Sequence, residues 1–175
     1  MEMNMKLIVF SGLPGTGKSM LAESIARHLN IPVFAKDWLE ATILKSGLIF
    51  PGMENQLGIT GYNLLTTLAE RQLMFGQSVI LDSVASTETI RNAWRALANQ
   101  YQAEWRVIEC VCSDETLHRS RLQTRRRNIP GWHELTWSNV EKVKEYYADW
   151  KEERLKLDMV HPFEENYVKA SAYCE

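Results

Sequence analysis

Leu7-Ile8-Val9-Phe10-Ser11-Gly12-Leu13-Pro14-Gly15-Thr16-Gly17-Lys18-Ser19 is the stretch on which the reading of the chain turns. Leu7–Phe10 is a short continuous apolar run, the pattern of a strand buried on both faces. Gly12 to Ser19 fits G-x-x-x-x-G-K-[ST] in full. From Lys18 to Asn30 apolar residues recur at Leu21, Ala22, Ile25, Ala26 and Leu29, which is helical spacing. A strand, a glycine-rich turn and a helix in this order bring successive main-chain N–H groups together with no Cβ in the way. The positive end of the new helix points at the same spot, so the ligand expected there is a phosphate. Lys18 adds a point charge for the β- and γ-phosphates, and the Ser19 hydroxyl is suited to Mg²⁺.

Outward from this stretch, short apolar runs alternate with helical patterns. Ile31–Phe34 reads as a second strand, and Asp37 stands where an N-cap would, ahead of a helix over Trp38–Leu44. Residues 47–60, with Pro51, Gly52 and Gly58, lack periodicity and read as a loop. Leu64, Leu65, Leu68, Ala69 and Leu73 follow at helical spacing, and Ser78–Leu81 is a third strand ending at Asp82. A helix over Thr87–Gln100 leads to a strand over Trp105–Val111, and Ser113-Asp114 opens an arginine-loaded helix through about Arg127. Pro130-Gly131 breaks the chain, Val143, Tyr147 and Trp150 mark a last long helix, and Leu157–Val160 is a final strand. The alternation predicts an α/β chain with a parallel five-stranded sheet covered by helices on both faces. Ligands of such sheets sit at the carboxyl ends of the strands.

The 175 residues make one domain, since no repeat or linker divides residues 1–175. With 45% hydrophobic and 24% charged residues, disorder, collagen and coiled coil are excluded. Lys+Arg number 20 against 22 Asp+Glu, a net charge of −2, which argues against a general nucleic-acid partner. Cys110, Cys112 and Cys174 offer no C-x-x-C or metal spacing. They read as small buried thiols of a reducing compartment, the first two on one strand face. No apolar run reaches the roughly 7–15 residues of a signal peptide or the about 20 of a membrane span, so a soluble cytoplasmic protein without a membrane partner is expected. Oligomeric state is not legible.

Beyond the glycine-rich turn, the carboxylate of Asp82 ends a central strand, where it can hold the water shell of a Mg²⁺ ion or cap a turn. Asp37 follows the second strand by three residues. In a two-substrate site it would receive the proton of an acceptor hydroxyl, a role compatible with capping its helix. His118 to Arg127 holds five arginines and no acid. Arg121 and Arg125, four apart, fall on one helical face, where unpaired like charges call for an anion between them. The later acids Glu141, Glu145, Asp149, Glu152 and Glu153 offer a competing balance for the run as a whole. The four histidines are scattered without metal spacing. Trp94, Trp105 and Trp150 read as core, whereas Trp38, Trp132 and Trp137 are candidates to wall an acceptor pocket.

GLPGTGKS at Gly12–Ser19, VILDS with Asp82, and R-L-x-x-R at Arg121–Arg125 together resemble the small P-loop kinases of the adenylate-kinase-like type. More narrowly they resemble the AAA-type kinase group allied to chloramphenicol phosphotransferase, zeta toxin and polynucleotide kinase. The resemblance implies a three-layer P-loop NTPase fold with a short arginine-bearing lid at about 121–136. It implies ATP bound by Gly12, Leu13, Pro14, Gly15, Thr16, Gly17, Lys18 and Ser19, with Arg121 and Arg125 at the start of the lid and Arg121 against adenine. It further implies Mg²⁺ at Ser19 and Asp82, and a catalytic set of Lys18, Asp37 and Arg125. After Asp82, however, Ser83-Val84-Ala85 replaces the G-x-P-R of adenylate kinases, which argues against a nucleoside-monophosphate acceptor. No N-K-x-D of the GTPase kind is present. The expected activity is ATP- and Mg²⁺-dependent transfer of the γ-phosphate to a hydroxyl of a small acceptor. A nucleotide-binding regulatory switch and a 5′-hydroxyl polynucleotide kinase are the alternatives.

Overall fold

The computed structural model describes residues 4–48 and 52–175. The strands are β1 (Lys6–Ser11), β2 (Val33–Ala35), β3 (Val79–Asp82), β4 (Glu104–Val111) and β5 (Leu155–Asp158). Between and after them run α1 (Lys18–Leu29), α2 (Lys36–Lys45), α3 (Glu54–Met74), α4 (Glu88–Gln100), α5 (Glu115–Thr124), α6 (Trp137–Tyr146) and α7 (Phe163–Cys174). All the strand pairs are parallel and the order is β2-β3-β1-β4-β5, so β1 lies at the centre. Phe10 of β1 is level with Asp82 of β3, and Asp82 in turn with Ala35 of β2. Three chain segments therefore leave the sheet side by side at the edge where ligands of parallel sheets bind.

Alternation along the strands divides the core. Leu7, Val9, Val79 and Leu81 join Leu65, Ala69 and Leu73 of α3 and Trp94 of α4. Ile8, Phe10, Ile80 and Ile108 join Leu21 and Ile25 of α1 and Ala170 and Cys174 of α7. Both faces of the sheet are thus apolar and helix-covered, which is why its strands read as continuous apolar runs.

The segment after β3 is clamped from several sides. Val84 O accepts from Ser11 Oγ at 2.8 Å and from Gly12 N–H at 3.4 Å. Arg91 of α4, 2% exposed, donates from Nε to Ala85 O at 2.7 Å and from Nη1 to Asp149 O at 3.2 Å. Its guanidinium also lies over the Trp150 ring, 3.8 Å from the centroid. A buried cation thus fixes the segment after Asp82 through carbonyls and an aromatic face.

Several local expectations give way to tertiary contacts. The loop expected over 47–60 is helical from Glu54 onward, residues 49–51 lying outside the described residues. Leu57, Gly61, Leu65, Ala69 and Leu73 form a buried stripe four residues apart, and the missing side chain at Gly61 admits Glu40 of α2. Asp37 is not an N-cap: α2 begins at Lys36 behind extended Ala35, which puts Asp37 in the first turn. The arginine-loaded helix stops at Thr124, whose hydroxyl donates to Ser120 O at 2.9 Å. Arg125 follows in extended conformation, so it does not share a helical face with Arg121. The last long helix ends at Tyr146. Tyr147 and Trp150 turn inward beneath β1 instead, where Trp150 Nε1 donates to Ser11 Oγ at 3.2 Å and Tyr147 OH donates to Glu109 at 3.0 Å. The strand of Cys110 ends at Val111, leaving Cys112 partly exposed, whereas Cys110 and Cys174 are buried. Helix α7 was not foreseen.

Gly12 has φ 140°, and an added Cβ would press into the Cys110 carbonyl oxygen of β4. Gly12→Ala is expected to lower stability by about 2–4 kcal/mol, from backbone strain and overpacking together. Urea unfolding of the two proteins, with the slope held equal, measures it.

Candidate active site

Gly12–Ser19 links β1 to α1 as a loop closed on itself, Thr16 Oγ1 donating to Leu13 O at 3.0 Å. Gly15 and Gly17 have φ 86° and 103°, and Gly17 is the N-cap residue of α1. No side chain caps this helix and its first turn contains no acid. The orphan N–H groups and the helix dipole are therefore left for an external anion. Lys18, 6% exposed, adds its ammonium to this end and makes no ion pair among the described residues.

The loop is braced from α5. His118, 3% exposed, donates from Nε2 to Pro14 O at 2.8 Å. An added Cβ at Gly15 would meet Leu122 Cδ1 at 2.9 Å and His118 Nε2 at 3.3 Å. Sequence reading left His118 unassigned. Its spacing of four from Leu122, a helical pair aimed at a glycine, is the signal that marks it. Burial holds the imidazole below its usual 6.5, an effect that its hydrogen bond to Pro14 opposes and the nearby Lys144 reinforces.

Asp82 is 3% exposed and its Oδ1 has no hydrogen-bond partner. Burial pushes its carboxyl up, opposed by the Lys18 ammonium and the Ser19 hydroxyl. An orphaned carboxylate oxygen beside a hydroxyl fits a hard, oxygen-seeking cation. Among the described residues no group of three or more His, Cys, Asp or Glu can hold an ion by itself. Ser19 and Asp82 would share it with phosphate oxygens.

Two cavities meet over the loop. The first, of about 480 Å³, runs from Gly15–Met20 past Arg121 to Met159, His161 and Phe163. Arg121 Nη1 donates to Met159 O at 2.6 Å. The second, of about 710 Å³, includes Asp37, Glu40, Tyr62, Asp82, Ser83 and Trp132. Arg125 and Arg127 border both. Burial draws the Arg125 guanidinium below its usual value, and its Nε has no partner. Arg127 donates from Nη1 to Asp37 Oδ2 at 2.8 Å, a contact across ninety residues of chain that no local pattern announces. Of the three tryptophans considered as pocket walls, Trp132 alone borders this cavity. Trp38 is exposed, and Trp137 instead receives the His118 ring edge-on at 5.1 Å.

The model of the AAA domain family matches residues 7–149. The chain belongs to this family. As an AAA domain it has the fold of the small P-loop kinases among solved structures. A protein of Chloroflexus aurantiacus, provisionally described as a kinase, superposes with a TM-score of 0.76 at 20% identity, over 99% of this chain and 100% of that one. A gluconokinase from Sinorhizobium meliloti gives 0.68 at 22% identity, over 95% and 90%. The APS kinase of Mycobacterium tuberculosis, in complex with AMPPNP and APS, gives 0.70 at 15% identity, over 98% of each chain. At such identities the likeness is one of fold. A search of curated proteins finds no match. Among the described residues no helix is long and apolar enough to cross a membrane.

Because the folded form resists a proton that the unfolded chain takes up near 6.5, the His118 contribution to stability is present above that pH. It is lost as pH falls through the lower folded value. His118→Gln is expected to flatten the fall in unfolding free energy between pH 7 and 5.5 by up to about 1.4 kcal/mol per pH unit. Denaturant titrations at several pH values in both proteins check this.

Proposed function

We propose that this AAA domain is an ATP- and Mg²⁺-dependent phosphotransferase that moves the γ-phosphoryl group of ATP to a hydroxyl of a small acceptor. The observation that carries the reading is the uncapped, acid-free start of α1, with buried Lys18, beside a second cavity bearing Asp37. A binding switch has no use for a carboxylate in such a cavity.

Each residue then has a physical task. Main-chain N–H groups of Gly15–Ser19 grip the triphosphate, and Lys18 draws charge from its β- and γ-oxygens. Arg121 and the Met159–Phe163 wall receive the base end of the nucleotide. Ser19 and Asp82 would hold Mg²⁺, which when bound neutralises charge on the phosphate oxygens. Arg125 and Arg127, on the boundary between the cavities, aim planar guanidinium groups at the group in flight. Asp37 orients the acceptor hydroxyl and takes its proton. The hydroxyl oxygen bonds to the γ-phosphorus as the bond to the bridging oxygen breaks, and ADP leaves. Asp37 has one oxygen engaged by Arg127, and no hydrogen bond among the described residues engages the other. The lid segment covers the junction and limits entry of water, whose attack would waste ATP.

An ATP-consumption screen over nucleosides, sugars and other alcohols tests the proposal, with Lys18→Ala as control. Lys18→Ala is expected to cut transfer by about 10²–10³-fold with the fold retained. Asp37→Asn is expected to lower kcat by about 10²–10⁴-fold while ATP affinity stays close to wild type. Transfer at full rate in either variant would remove that residue from the chemistry, and in both would end the reading.

A further inference from the structure

The larger cavity carries more unmet hydrogen-bonding capacity than phosphate chemistry needs. Among the described residues eight buried side-chain polar atoms lack a partner, and four of them, Asp82 Oδ1, Arg125 Nε, Ser83 Oγ and Trp132 Nε1, belong to residues that border this one space. The first two have tasks toward metal and phosphoryl group. Ser83 and Trp132 have none there. A buried donor without a partner is costly, so such groups mark where a ligand or water completes the structure. The indole N–H only donates, and the hydroxyl both donates and accepts. Both are met by alcohol oxygens.

Charge narrows the class. On the acceptor side Lys36 is paired with Glu40 and Arg127 with Asp37, so each of these cations already faces a carboxylate. The remaining cations of the lining are Lys18 and Arg125, which the phosphotransferase reading gives to the phosphate groups, and Lys142, an exposed residue of α6. With nucleotide bound and Lys18 and Arg125 engaged by its phosphates, an acceptor with a carboxylate or phosphate of its own would find no buried cation left to compensate it, and desolvating that charge is expensive. The walls also offer the rings of Tyr62, Trp132 and Tyr146. Aromatic faces beside sparse polar groups suit a molecule with both C–H and O–H surface.

We infer that the acceptor is an uncharged polyol, held by Trp132 Nε1 and Ser83 Oγ with a C–H face against the aromatic wall. The inference rests on the phosphotransferase reading for its purpose, but it can be tested by binding alone. Calorimetry on the full chain with Mg²⁺ and a non-hydrolysable ATP analogue would titrate uncharged monosaccharides, cyclitols and nucleosides. Each is run against its carboxylate or phosphate-ester derivative. At least one uncharged polyol is expected to bind, with its anionic derivative about tenfold weaker or worse. Trp132→Phe and Ser83→Ala are each expected to weaken that polyol by about 5–10-fold, with melting temperature and nucleotide affinity close to wild type. An anionic derivative that binds as well as its parent overturns the inference. So does a panel without a binder, or a polyol indifferent to both substitutions. Binding with no phosphate transfer overturns the kinase reading and leaves this one standing.

Discussion

An α-helix that starts with no capping side chain and no acid in its first turn leaves its leading N–H groups in want of negative charge, and α1 starts in that way. A buried ammonium at its first residue, Lys18, sharpens the imbalance. An anion supplied from outside would balance it, and much of the surrounding structure leaves that end open for one. The Cys110 carbonyl leaves room at residue 12 for glycine alone, His118 anchors Pro14, and Leu122 bears on Gly15. The conformational freedom that makes the loop possible is thus withdrawn again by its neighbours, so that little ordering remains to be done when phosphate arrives.

Around this fixed point the molecule is stiff on one side and adaptable on the other. The floor after β3 is tied to β1 through Val84 O and to α4 through Arg91, which bridges two carbonyls and an indole. Asp82 is thereby held in place with an oxygen unspent. The roof is the arginine segment that leaves α5, joined to α2 by the Arg127–Asp37 pair and by close contact of Gly131 with Lys45 and Ala41. Ion pairs of this kind exchange partners more readily than packed apolar contacts separate. A roof held by an ion pair over a packed floor fits the proposed two-substrate site, which would admit two molecules and then shut out solvent.

The sheet, the phosphate loop and Asp82 were legible in the sequence because each is written locally. Strands buried on both faces are apolar without interruption, and the loop needs its glycines and lysine at fixed spacing. What escaped was non-local. The start of α3 was hidden behind Gly58 and Gly61, the latter small because Glu40 packs against it from another helix. Asp37 looked like a cap, since nothing near it in the chain indicates Arg127. Ser83 went unmarked because it meets Trp132, itself a candidate wall of the pocket, in one cavity only through the fold. The end of α5 at Thr124 reflects a balance of back-bonding and like-charge repulsion that periodicity does not capture.

Arg125 and Arg127 border the two cavities at once. If nucleotide and acceptor occupy the two compartments as proposed, each alters the charge and space around the same two side chains, so their affinities are thermodynamically linked. By reciprocity, the factor by which a nucleotide changes the hold on its co-substrate equals the factor in the reverse direction. The shared guanidinium pair makes order of addition a matter of kinetics, while the free energy of the fully loaded protein is the same by either route.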